Sequence, residues 1–256
     1  MKNTIVEVCN LDYMYQQPAA EMLAISDLSF SVDAGEFVSI VGPSGCGKTT
    51  VLSLLMGLLT PSLGEVRVLG DRAGQKPAVG YMLQRDHLLD WRTVEQNVLL
   101  GLEVKKMLTP ERRAHALALL TRYGLAEFAR HYPRSLSGGM RQKVALIRTL
   151  ATEPSLLLLD EPFSALDYQT RLLLSDEVYG IIRAEGTTAI LVTHDIAEAV
   201  SMSDRVLVFT ERPARLKSVH RMPLNRLDAP LARREDPRFP QCFNLIWKEL
   251  TDHGRF

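Results

Sequence analysis

A chain of 256 residues, 46% of them hydrophobic, has enough apolar side chain for a well-buried core, either one large domain or a core with a subdomain. Lys+Arg and Asp+Glu both number 30, so the basic excess usual in a protein that lives on nucleic acid is missing. Cys9, Cys46 and Cys242 are odd in number and far apart, with neither metal-ligand spacing nor a disulfide framework, which suits a reducing compartment.

The opening stretch lacks the continuous apolar run of a signal peptide, and no run of about 18 apolar residues reads as a bilayer span. Any membrane role is expected to come through a partner. Residues 4–8, 23–32 and 36–41 are short alternating runs, with a turn at Asp33-Ala34-Gly35. They read as antiparallel strands packed beside the next segment. That segment is Gly42-Pro43-Ser44-Gly45-Cys46-Gly47-Lys48-Thr49, a G-x-x-x-x-G-K-[ST] phosphate loop followed by Thr50. Glycines let backbone N–H groups approach phosphate oxygens closely. Lys48 supplies a point charge for the β- and γ-phosphates, and the Thr49 hydroxyl can complete the coordination of Mg²⁺. Residues 37–41 form an apolar strand before the loop, and residues 49–59 a helix after it, so the positive end of the helix dipole faces the phosphates. Cys46 lies next to that positive end, which is expected to favour its thiolate.

Residues 65–69 and 79–83 are further strand candidates, with Gln84 ending the second. From residue 93 to about 150 the pattern turns helical, with Val94, Val98, Leu99 and Leu102 at helical spacing. Thr109, Pro110 and Arg112 mark a helix start, with Thr109 as N-cap and Arg112 where a capping box would have Glu or Gln. Ser137-Gly138-Gly139 opens another helix and is a second anion-type site with free N–H groups. Residues 155–159 and 189–192 are wholly apolar runs suited to central parallel strands. Between them, residues 168–184 read as a helix closed by Gly186. This alternation argues for a parallel sheet with crossover helices. Residues 212–256 are rich in proline and arginine and less regular, with a final helix expected over 244–250.

The phosphate loop is followed in order by Gln84, by Leu136-Ser137-Gly138-Gly139-Met140-Arg141-Gln142, by Asp160-Glu161-Pro162 with Ser164-Ala165-Leu166-Asp167 behind it, and by His194. Together these residues resemble the ATP-binding subunit of an ABC transporter, over about residues 6–210. The resemblance implies an α/β fold: a P-loop NTPase (RecA-like) core with an N-terminal antiparallel β subdomain and an inserted α-helical subdomain. The expected ATPase domain covers 1–230, with the helical part at about 86–150 and a short C-terminal tail with a helix at 231–256. ATP and Mg²⁺ are the implied cofactors. Asp160 is expected at the carboxyl end of a buried strand beside the phosphate-loop strand, where it can hold Mg²⁺ through water with Thr49 and Gln84. Glu161 is the candidate base that orients and polarises the attacking water, His194 a donor to the γ-phosphate, and Gln84 an amide within reach of the metal or the water.

The resemblance also implies a head-to-tail homodimer. Ser137, Gly138 and Gly139, with Gln142, would close over the ATP held by the other subunit, and Asp167 would lie at that interface. Tyr15 matches the aromatic that stacks on adenine; a tyrosine packed in the core is the alternative, and Tyr13 a second candidate. Residues 85–98, 210–215 and 236–239 are similar to importer ATPases for nitrate, sulfonates and taurine. Asp90 replaces that group's proline, so the loop is expected to be less rigid. His131-Tyr132-Pro133-Arg134-Ser135 ahead of the glycine pair is in the importer style. The implied partners are two integral membrane permease subunits and a periplasmic or lipid-anchored solute-binding protein, with no nucleic acid, at the cytoplasmic face of the inner membrane. Trp91 and the apolar residues after it form a groove for a helix of the membrane subunit, or else pack the helical subdomain. A soluble ABC-type ATPase uncoupled from transport is the alternative function; it would predict a basic face or an inserted coiled coil, and neither is visible. A P-loop kinase or GTPase would not explain the LSGGMRQ segment.

Overall fold

A computed structural model describes residues 3–17, 20–69 and 78–251. Its centre follows from three apolar runs. β3 (Phe37–Val41), β6 (Leu156–Asp160) and β7 (Thr188–Val192) are buried at every position, as strands covered on both faces must be. With β5 (Val79–Met82), β8 (Arg205–Phe209) and β9 (Leu216–Arg221) they form a six-stranded sheet in the order β5-β6-β7-β3-β8-β9. All neighbours pair in parallel except β8 and β9, which are antiparallel. A separate antiparallel sheet has the order β2-β1-β4, from β1 (Thr4–Gln17), β2 (Ala20–Asp33) and β4 (Leu63–Val68).

Two expectations are corrected here. The 36–41 run does not join the antiparallel group. It is apolar at consecutive positions and needs cover on both faces, which only the interior of the parallel sheet offers. Nor does the strand bearing Asp160 lie beside the phosphate-loop strand, because β7 is inserted between them.

Alternate side chains of the central strands feed different cores. Leu157, Leu159, Ala189 and Leu191 pack under α2 (Val94–Val104), α3 (Pro110–Arg122), α4 (Gly138–Leu150) and α5 (Tyr168–Ala184). Leu156, Leu158, Ile190 and Val192 face α1 (Lys48–Leu55) and the antiparallel sheet. A third cluster joins Val41, Val206 and Val208 to α6 (Ile196–Met202) and to Ile246 of α8 (Phe239–Thr251). The helices α2 to α4 lie in sequence between β5 and β6, which are neighbours in the sheet, so this α-helical part is an insertion into the core. β8, β9, α6 and α7 (Pro230–Glu235) had no counterpart in the expected pattern. α8 begins well before residue 244, and the last part of the expected tail, 252–256, lies outside the described residues. Among the described residues no helix is long and apolar enough to cross a membrane.

The segment after β5 is tied down although Asp90 stands in it. Asn97, fully buried on α2, accepts from Leu89 N at 2.7 Å and donates through Nδ2 to the carbonyls of Leu89, Arg92 and Thr93 at 3.0–3.1 Å. Arg148 of α4 donates to the carbonyls of Asp86 and His87. Trp91 stands at the tip of this braced loop, 74% exposed. Replacing Asn97 by Ala removes the partner of the Leu89 N–H and the side-chain donor of the Arg92 carbonyl, while the Leu89 and Thr93 carbonyls keep backbone donors, so Asn97→Ala is expected to cost about 2–3 kcal/mol. Urea unfolding measures this, and a loss below about 1 kcal/mol would show that the loop is held by other contacts.

Candidate active site

β3 delivers the chain into the phosphate loop and α1 begins at Lys48. The turn between them depends on Gly47, which has φ +125° and whose missing Cβ would stand 3.2 Å from the carbonyl oxygen of Ala24. No side chain caps α1, so its first N–H groups point into the loop. Lys48 is buried, and its ammonium donates to the carbonyls of Gly42 and Pro43 at 2.8 and 2.9 Å. Tyr15, Ala24, Ser44, Gly45, Gly47, Lys48, Thr49, Thr50, Glu161 and Arg212 line a cavity of about 320 Å³. This set fits a polyphosphate. It offers backbone donors and two cationic side chains, and a side chain at position 47 would crowd the Ala24 carbonyl.

At the cavity edge Thr49 Oγ1 donates to Asp160 Oδ1 at 3.4 Å, and the Tyr81 hydroxyl donates to Asp160 Oδ2 at 3.0 Å. Burial raises the carboxyl of Asp160, and the two hydrogen bonds oppose that rise. Burial, then the Asp160 carboxylate, push the Tyr81 phenol well above its usual value, so Tyr81 stays a donor. A hydroxyl and a carboxylate side by side are oxygen ligands of the kind Mg²⁺ takes. No cluster of three or more His, Cys, Asp and Glu side chains suited to a metal exists among the described residues. Gln84 is not at this pair: its Nε2 donates to Ser164 Oγ at 3.1 Å, and Ser164 in turn donates to the Glu161 carbonyl.

Glu161 follows Asp160 with φ +46°, a left-handed conformation uncommon for a residue with a side chain. Its N–H donates to Val192 O at 2.8 Å, extending the β6–β7 ladder by one step. The side chain reaches His194, whose Nδ1 lies 3.1 Å from Glu161 Oε2. The imidazole itself is exposed.

Ser137 caps α4, accepting from Met140 N at 3.3 Å. Neither it nor Gly138 or Gly139 lines the cavity, and Gly138 instead abuts Leu166. Gln142 is buried and donates to the Gln84 carbonyl at 3.4 Å, so it backs the Gln84 loop from inside. Asp167 is exposed and caps α5 by accepting from Thr170 N at 3.0 Å; that bond holds its carboxyl below the usual range. Tyr15 stands between the cavity and the core. It lines the cavity, its hydroxyl lies 3.0 Å from Thr50 Oγ1, and its half-buried ring meets Tyr13 edge-on at 4.9 Å. Tyr13 does not line the cavity.

Cys46 does not favour its thiolate as expected. It lines no part of the cavity and is 1% exposed, and burial pushes its thiol up despite the nearby Lys48 ammonium. Proximity to a helix N-terminus counts for less than desolvation when the sulfur points into the core. Two residues of the site had no expected role. Tyr81 carries no local signal beyond its place in a strand. Arg212 sits in the 210–215 stretch and donates to the Gly45 carbonyl at 2.6 Å.

Behind His194 lies a buried acid. Thr193 Oγ1 donates to Glu198 Oε2 at 2.8 Å, and Asp195 caps α6 by accepting from Ala197 N and Glu198 N. Burial raises the Glu198 carboxyl from its usual 4.5 to about 7; Asp195 adds to the rise, while the Thr193 bond, Arg171 and Arg234 oppose it. The folded protein therefore holds this proton more tightly than the unfolded chain. The resulting stability is fully present below about pH 4.5 and is lost as pH rises through about 7. Glu198→Gln removes the titration, so the variant should gain on the wild type by about 2–3 kcal/mol between about pH 5 and pH 8. Parallel denaturant melts across that range measure it, and a pH-independent difference would refute the assignment.

The family description "ABC transporter" matches residues 25–164. The chain is 46% identical over 251 residues to the uncharacterized ABC transporter ATP-binding protein YtlC of Bacillus subtilis, covering 97% of this chain and 96% of that protein. It is 43% identical over 205 residues to the taurine import ATP-binding protein TauB of Yersinia pestis, covering 79% of each. Among solved structures, the dimeric ATP-binding cassette MJ0796 in a post-hydrolysis state with ADP and Pi superposes with a TM-score of 0.69. It is 30% identical, over 85% of this chain and 98% of that one.

Proposed function

The chain belongs to the ABC transporter family as an ATP-binding subunit, and from that premise we propose that it hydrolyses ATP to power uptake of a small solute through a bacterial importer. The observation that carries the catalytic part is the Glu161–His194 contact of 3.1 Å, opening on the cavity that Lys48 and Thr49 line.

In this reading the N–H groups of residues 42–50 and the Lys48 ammonium bind the phosphates, and Tyr15 meets the adenine. Mg²⁺, when bound with the nucleotide, neutralises phosphate charge, and Thr49 and Asp160 are the residues that would hold it; Gln84 would join them only by leaving Ser164. Glu161 orients the attacking water. With Oε2 engaged by His194, Oε1 is the oxygen left to accept a proton. His194 keeps the carboxylate aimed through Nδ1, and with both ring nitrogens protonated it also donates to the γ-phosphate through Nε2. Phosphoryl transfer asks little more than such positioning and charge stabilisation.

The importer assignment, with a solute of the nitrate, sulfonate or taurine kind, rests on the 85–98, 210–215 and 236–239 stretches and on the likeness to a taurine import protein. We assign residues 1–230 to the ATPase domain and 231–256 to its tail. Two permease subunits, met through the braced loop at Trp91, hold the protein at the cytoplasmic face of the membrane, and a solute-binding protein delivers the cargo. Two copies pack head to tail, with Ser137, Gly138, Gly139 and Gln142 completing the partner's site and Asp167 beside them. In support, the α4 N-terminus carries free N–H groups away from its own phosphate cavity.

Glu161→Gln should keep ATP binding, lower turnover by about 100-fold or more, and accumulate as an ATP-bound dimer on gel filtration. A fully active, monomeric variant would remove Glu161 from the mechanism. The composite site has its own test. Ser137→Arg damages the partner's site and Lys48→Ala the subunit's own, so a mixed dimer carries both defects in one site and leaves the other intact. Mixing the two inactive variants should restore ATP hydrolysis. No recovery, with heterodimers shown to form and a single intact site shown to be active, would refute the role of Ser137 in trans.

A further inference from the structure

Arg171 of α5 enters none of the roles above, yet its guanidinium joins the two loops that meet at the catalytic pair. Nη2 donates to the Leu166 carbonyl at 3.2 Å, in the loop that starts with Glu161 and ends with Asp167. Nη1 donates to Asp195 Oδ2 at 3.4 Å, on the residue that follows His194 and caps α6. Nε lies 3.8 Å from Glu198 Oε1, close enough for charge attraction but without a hydrogen bond. The side chain is 23% exposed, so these contacts are only partly screened by water.

The two loops are otherwise joined by contacts near Glu161. Its N–H holds Val192 O, and its carboxylate meets His194. The far end of the 161–167 loop is capped by its own helix, through Asp167 to Thr170 N and Arg171 N to Asp167 O. The His194 turn is closed by its own Thr193 and Asp195. His194 is 60% exposed, so little packing fixes its ring.

We propose that Arg171 is a positioning residue for hydrolysis: its guanidinium clamps the 161–167 loop to the His194 turn and so fixes where Glu161 and His194 meet. The planar fork is what permits this, since it addresses a carbonyl on one loop and a carboxylate on the other at once; a lysine ammonium is a point charge on a flexible stem. Misplacing a catalytic group by about 1 Å costs up to roughly 100-fold in rate, so a clamp away from the reacting atoms has a kinetic signature. The proposal rests on the roles given to Glu161 and His194 above.

The test uses the full chain with Arg171→Ala and Arg171→Lys, reading turnover at saturating MgATP, affinity for a fluorescent ATP analogue, and thermal melting. Arg171 does not line the cavity. The expected result is therefore a kcat lower by roughly 10- to 100-fold in Arg171→Ala, with analogue affinity within about twofold of wild type. Arg171→Lys should remain impaired, because charge alone does not restore the clamp. In a His194→Ala background, adding Arg171→Ala should cause little further loss of the residual turnover measured with radiolabelled ATP, because both changes remove one function. Wild-type turnover in Arg171→Ala, full rescue by Lys, losses that multiply with His194→Ala, or a fall in affinity that matches the fall in kcat would each overturn the proposal. If Arg171→Ala does not melt cooperatively, Arg171→Lys decides it by the same kcat-against-affinity comparison. Full activity in Glu161→Gln would instead sink the reading of the catalytic pair, a separate outcome.

Discussion

The phosphate loop, Asp160, Glu161, His194 and Gln84 each lie at the carboxyl end of a strand of the parallel ladder or just beyond it, and one rung of that ladder fixes their relative height. Ile40 of β3 and Asp160 of β6 are both in register with Val192 of β7, and Met82 of β5 pairs with Leu159 one step earlier. From this rung Gly42, Glu161, His194 and Gln84 all emerge within a few residues. Leucines fill both faces of β6, so what opposes a slip of one residue is Asp160, which would be carried into the place of Leu159 among the apolar side chains packed under the helices. The site is a consequence of that register. Ligands gather at the carboxyl ends of strands in open parallel sheets for the same reason.

The groups that leave the rung are poised by their neighbours. Asp160 is held between a hydroxyl on α1 and a phenol on β5. Glu161 is turned by a left-handed backbone step and meets an exposed imidazole. Behind these stand charges that never touch the cavity: Arg171 between two loops, Asp195 at a helix cap, and Glu198 buried beneath it. Partly buried charges of this kind interact more strongly than surface pairs and lose more when one partner is removed. The loop beyond β5 is organised similarly, by the buried amide of Asn97 and by Arg148.

Two helix N-termini, those of α1 and α4, present free donors on different parts of the surface. Only the first lies in the cavity with Lys48. If both ends serve one nucleotide, as proposed above, a second copy is needed to bring them together. The α4 end is also linked to the catalytic side within one chain, since Gly138 abuts Leu166 and Leu166 is held by Arg171.

The sequence by itself determined what depends on short stretches of chain. The phosphate loop, the Thr109 cap, the Tyr168–Ala184 helix and the apolar central strands are all written in residues that act on near neighbours, through glycine conformations, caps and hydrophobic period. The order of Gln84, Ser137, Asp160, Glu161 and His194 along the chain was legible for the same reason. Tertiary structure alone decided which strand separates β6 from β3, whether Cys46 faces phosphate or core, that Tyr81 and Arg212 stand at the site, and that Arg171 bridges two loops behind it. It also made strands of 205–209 and 216–221, one of which is half-exposed and carries Lys, His and Arg rather than an apolar run. Apart from the apolar run at 206–209, which is itself a strand signal, these outcomes rest on contacts between segments tens of residues apart, where burial and strand pairing outweigh local preference.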